Sequence, residues 1–232
     1  MKKFLIAIVA LMTSISFANA ERFSMGVTVK GGVFEADGAS EIFSGDHAGN
    51  RSSTKVTKST ATEGEDAEAA YAMGSIFLEA ALSDQVSLGI NYVPHSMETE
   101  TATNTQNTNQ NELAVDAEAV NTVSLSFEDL TTAYVMLNAT ENLYIKVGLM
   151  EVEAITKENL ATGGSYGNAT LEGISAGFGY NGDLANDMFF RLEANYMDFD
   201  GAEKTNSNDA NKKIKVDGIT GFGGKISVGR SF

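Results

Sequence analysis

Six charged residues stand out because of their neighbours. Lys30, Glu79, Lys146, Arg191, Glu193 and Lys225 occupy positions that otherwise hold mostly Gly, Ser, Asn and Tyr, in register opposite to a set of apolar positions. Charges withdrawn from bulk water must be paired or hydrated. Lys30 is expected to meet Glu79, and Glu193 to meet Lys225, because the segments that carry each pair are neighbours. Such a set can form a plug of salt bridges and waters, the favoured reading, or line a gated, charge-selective path for small ions. Other reactive types are sparse. There are two histidines, His47 and His95. His95-Ser96 has the residue types of an acyl-transfer site, but spacing fixes no partner carboxylate, and a solvated histidine at a segment end is the plainer reading. The stretch Asp198-Phe199-Asp200-Gly201-Ala202-Glu203 echoes a calcium loop without its length or spacing. Cysteine is absent, which removes zinc ribbons, disulfide scaffolds, CxxC redox chemistry and thiol nucleophiles. No metal, no cofactor and no catalysis are expected.

The elements that position these charges alternate with period two. Eight segments each carry one apolar face, the signature of half-buried strands. The stripes run Phe23, Met25, Val27, Val29, Gly31, Val33; then Ala72, Gly74, Ile76, Leu78, Ala80, Leu82; then Val86, Leu88, Ile90, Tyr92, Pro94. The fourth segment is long, with Val123, Leu125 and Phe127 continuing in phase to Thr131, Ala133, Val135 and Leu137. The others are Leu143 to Leu149, Ile174 to Tyr180, Met188 to Tyr196, and Phe222 to Val228 with Phe232 at the end. Connections after even segments are short. Those after odd segments are long and polar, over about 36–69, 97–119, 157–168 and 199–213, to within a few residues.

This rhythm predicts an all-β, eight-stranded antiparallel up-and-down transmembrane β-barrel. In hydrocarbon every backbone donor and acceptor must be paired, so a spanning sheet closes on itself. A tilted spanning strand needs about 9–11 residues, which each segment reaches. The face opposite the apolar stripe suits a narrow polar lumen better than a solvated surface. Aromatic residues cluster at two heights, with Phe23, Tyr180 and Phe232 near the short-turn rim and Tyr92, Tyr196 and Phe222 further up, as interfacial girdles require. Mean hydropathy is only −0.11, so no helical membrane bundle is hidden here.

Residues 1–20 read as a signal peptide, with Lys2 and Lys3, an apolar run from Phe4 to Met12, and Ala18-Asn19-Ala20 as the cleavage site. Residues 21–232 then form one barrel domain. With this leader, the eight segments and terminal Phe232, the chain resembles the small outer-membrane β-barrel proteins of Gram-negative bacteria, the OmpX/OmpW/OmpA-barrel type. The final segment Gly224, Ile226, Val228, Arg230, Phe232 is similar to that family's C-terminal assembly signal, although Arg230 replaces the usual hydrophobic residue. The resemblance implies an outer-membrane location, contact with outer-membrane lipid and lipopolysaccharide, handling by the barrel-assembly machinery during biogenesis, and a monomer. No wall-anchoring domain is expected after the barrel.

The net charge of −15 argues against a nucleic-acid partner, because phosphate binding needs a basic face. The tract 98–112 is low-complexity and polar and cannot build a core. The first long connection is rich in acidic residues. Loops on a rigid scaffold are where binding resides. Three functions stay open: a structural or surface-interaction (adhesion-like) barrel, a narrow porin-like channel for small solutes or ions, and a lipid-modifying outer-membrane enzyme centred on His95.

Overall fold

The computed structural model describes residues 22–38, 40–43, 67–107, 118–161, 163–208, 210 and 212–232. The expected signal peptide, His47, residues 44–66 of the first long connection and 108–117 in and beyond the polar tract lie outside the described residues.

The described chain is strand and turn: β1 (Arg22–Asp37), β2 (Ser40–Phe43), β3 (Ala67–Ala81), β4 (Val86–Tyr92), β5 (Met97–Glu98), β6 (Ala102–Asn107), β7 (Glu118–Asn138), β8 (Leu143–Leu160), β9 (Ala169–Asp183), β10 (Met188–Thr205) and β11 (Lys212–Ser231). Eight of them are staves, paired antiparallel in the order β1-β3-β4-β7-β8-β9-β10-β11. The sheet closes where Ser24–Asp37 pairs with Gly218–Ser231. Closure gives every described stave a neighbour on each side, although β4 is shorter than β3 and β7. The fold expected from the alternation is the fold observed. The short strips β2, β5 and β6 add no stave. They pair with β11 and β7 and lengthen those walls at the long-connection end.

Outward positions carry the apolar stripe. Val29, Leu149, Ile226 and Phe178 are 67%, 57%, 61% and 56% exposed, and together with Val27, Ile76, Val147, Ile174 and Leu192 they wrap the barrel. Water would penalise such a belt by about 25 cal/mol per Å²; hydrocarbon does not. Short turns close one end. In the first, the Ser83 hydroxyl accepts from Val86 N–H at 3.1 Å; in the second, Thr140 does the same for Leu143 at 2.9 Å. The third uses Asn186 and Asp187 at φ 62° and 60°, residue types that tolerate the left-handed region.

At the other end the strands run into the segments expected to be loops. β8 continues to Leu160, and β10 and β11 stay paired to Thr205↔Lys213, so the third and fourth long connections are shorter than the sequence implied. Polar composition there marks exposure to water rather than loss of the ladder. Cross-strand charge pairs such as Glu203–Lys213 at 2.7 Å support it.

The fourth segment departs from the expected phase. Between Glu128↔Glu153 and Thr131↔Glu151 the β7 ladder carries Asp129 and Leu130 against Val152 alone. This bulge inserts one residue and reverses the facing of everything beyond it. Phe127, expected to share the outer face of Val135, instead packs against the interior group containing Met150, Val152 and Ala154. Asp129 takes φ 56° and its carboxylate accepts the Tyr92 hydroxyl at 2.7 Å.

Candidate functional site: the luminal charge network

Inward parity is set by pairing. On β3 it gives Ser75, Phe77 and Glu79, on β10 Phe189, Arg191, Glu193 and Asn195, and on β8 Tyr144 and Lys146. All are buried except Lys146, which is partly so. Two carboxylates organise the centre. Glu79 receives both terminal nitrogens of Arg191, at 2.6 and 2.7 Å, and the Tyr134 hydroxyl at 2.7 Å. This fork crosses the lumen from β3 to β10. The guanidinium also donates from Nε to Asn181 at 3.1 Å and lies 4.5 Å from the centre of the Phe189 ring, a cation–π arrangement. Glu193 is held by Lys146 at 2.7 Å, Lys225 at 2.8 Å and the Tyr144 hydroxyl at 3.0 Å. The expected Glu193–Lys225 contact is present, and these residues are direct cross-strand neighbours.

The expected Lys30–Glu79 contact is absent. Register puts Ser24, not Lys30, opposite Glu79, and Lys30 opposite Met73. Six residues at about 3.3 Å each separate the two levels by about 20 Å along the strands. Adjacency of strands does not fix height. Arg191 takes the place assigned to Lys30, which instead faces Lys225 across the β1–β11 seam. Lys30 is 4% exposed.

Two tyrosines escaped the sequence reading. Tyr134 and Tyr144 reach the carboxylates because Gly89 and Gly179 face them on neighbouring strands. A Cβ at either glycine would run into the phenol ring. An inward aromatic opposite an inward glycine is the signal that was available.

Above the charges the lumen turns apolar. Met73, Val93, Leu130, Met150, Val152, Leu171, Met197 and Phe199 form a buried cluster, with Phe34 and Tyr71 against it. The sequence reading missed this tier. Its trace was Phe34, Met73, Met150 and Met197 at positions of lumen parity, where alternation of apolar and polar breaks down.

Gly224, Ile226, Val228, Arg230 and Phe232 all lie on the outer, exposed face of the closing strand and the residue after it, with the Arg230 guanidinium 5.4 Å from the Phe232 ring centre. His95 sits just past Pro94, where β4 has ended but β3 continues. The β3–β4 ladder covers only Ile76–Ala81. His95 Nε2 accepts the N–H of Gly74 at 3.0 Å, and Nδ1 lies 3.2 Å from the Ser96 carbonyl. The imidazole therefore caps an unfinished ladder, with both nitrogens engaged by backbone. Among the described residues no group of three or more His, Asp or Glu side chains is arranged to hold a metal ion.

No protein-family model matches the chain, and no curated protein matches it by sequence. Solved structures similar to it include outer membrane protein OprG from Pseudomonas aeruginosa, at 15% identity and TM-score 0.41, covering 90% of this chain and 96% of that one. Outer membrane protein AlkL, solved in DMPC bilayers, is 11% identical with TM-score 0.42, covering 92% and 91%. Ail, the attachment invasion locus protein of Yersinia pestis, is 9% identical with TM-score 0.38, covering 90% and 98%. The chain is similar to small outer-membrane β-barrels of Gram-negative bacteria.

Proposed function

We propose that the protein is an integral outer-membrane barrel with a sealed lumen, whose work is done at the cell surface by the hairpins that extend beyond its apolar belt. The observation that carries this reading is the two-tier filling of the interior. The Glu79–Arg191 fork and the Glu193–Lys146–Lys225 cluster cross the lumen at one level, and the apolar cluster occupies the level above. An ion crossing this interior must break buried ion pairs and then leave water altogether. The belt makes outer-membrane lipid and lipopolysaccharide the lateral partners, and the outer stripe of β11 is the surface for the assembly machinery. The barrel acts as a monomer without catalysis, and His95 serves the backbone.

With the short turns inside, the long hairpins face outward, since an even stave number puts both termini on the turn side. Their acidic and uncharged polar sequences make them the contact surface for a partner outside the cell. The test is attachment of cells carrying variants shortened within 44–66 and within 108–117, with correct folding checked by heat-modifiable gel mobility. Loss of attachment with an intact barrel is the expected result. Attachment unchanged in the doubly shortened variant would contradict it.

A further inference from the structure

A small void of about 20 Å³ sits in the lumen beside the ion pairs. Its lining includes Lys146, Arg191 and Lys225 together with Thr132, Ser175 and Asn91, and among the described residues it includes no carboxylate. The charge balance around it is uneven. Three cations, Lys146, Arg191 and Lys225, share two carboxylates, Glu79 and Glu193. Lys30 is buried and stands directly across the seam from Lys225, which adds to the positive charge at this level. Burying unmatched positive charge is costly unless a counter-charge enters.

We propose that this void is a binding site for a small inorganic anion of halide size. The donors are of the kind such an ion needs: two ammonium groups and a guanidinium, with hydroxyl and amide groups completing the shell. The volume selects by size. A site needs about 10–15 Å³ to hold one water, so the void has room for one ion of about that size. Each nitrogen of Arg191 already makes one hydrogen bond, so an anion would draw on its two remaining N–H groups and on the ammonium groups of Lys146 and Lys225. The anion offsets the luminal surplus and holds Lys146, Arg191 and Lys225 together from a second side. The site does not depend on whether the barrel conducts.

The test uses the full barrel, refolded without halide in sodium gluconate and then titrated with sodium chloride or bromide at constant ionic strength. The urea midpoint of unfolding should rise with halide and saturate. Lys225→Met should abolish the rise by removing a donor and one unit of surplus charge. Ser175→Val, which fills the void and leaves every charge in place, should abolish it as well and serves if Lys225→Met does not refold. Crystals grown in bromide should show an anomalous peak between Lys146, Arg191 and Lys225. A flat midpoint in the wild type together with no bromide in the void would overturn the proposal, as would a halide response in Ser175→Val equal to that of the wild type.

Discussion

Replacing Glu79 with Gln should expose how much of the barrel rests on one buried carboxylate. Glu79 is 3% exposed and takes a two-pronged contact from Arg191, which is 7% exposed. The substitution keeps size and an acceptor for the Tyr134 hydroxyl but leaves the guanidinium without its counter-charge. Breaking a buried pair from one side costs about 3–5 kcal/mol. The lower end applies here, because Asn181 still accepts from Nε. With a urea slope of about 2 kcal/mol per M, a loss of about 3 kcal/mol lowers the midpoint by about 1.5 M. The chain has no tryptophan, so far-UV circular dichroism or gel mobility is the readout, in lipid vesicles. Adding Arg191→Met should recover most of the loss, since Met packs against Phe77 and Phe189 without leaving a charge unmatched. A Glu79→Gln midpoint within about 0.3 M of wild type, less than a fifth of the expected shift, would refute the reasoning. So would a double variant less stable than the single one.

Three further outcomes follow from the same structure. Ile226→Arg, at a position 61% exposed in mid-stripe, should destabilise the barrel by about 2–4 kcal/mol in bilayers; equal stability would mean the belt does not face hydrocarbon. Because the chain has no cysteine, single cysteines at 127 and 135 can be labelled in turn. The fluorophore at 135 should be quenched by lipid-borne quenchers and that at 127 should not, whereas equal quenching would show that the bulge does not reverse facing. Protease added to intact cells should cut within 36–69 or 97–119, and cleavage only after the outer membrane is breached would reverse the orientation.

How far the sequence alone led depends on which interactions each feature reports. Strand phase comes from local alternation, so the outer stripe of Val27, Val29, Ile226 and Val228 was legible residue by residue, as was the closed topology. Short connections were legible because Ser83 and Asn186-Asp187 carry turn chemistry. The bulge at Asp129-Leu130 was not, because its single extra residue lies inside a polar stretch where the period weakens. The inward parity of all six charges was readable, yet their partners were not. Partnership depends on stagger between strands, and stagger is set by turn geometry and ladder register rather than by sequence order. Thus Glu193 and Lys225, level with each other, were paired correctly, while Lys30 and Glu79 were not. The apolar tier around Met73, Met150 and Met197 was hidden because apolar residues on both faces of a strand read as noise in a period-two pattern.

The central claim is that the interior is sealed by charge pairs below and apolar side chains above. Planar-bilayer recording on the refolded full barrel tests it most directly, with the lumen as the only path across the membrane. The account predicts a baseline without steady openings across the voltage range the bilayer tolerates. Steady single-channel conductance in the wild type would contradict it and make the lumen an ion path.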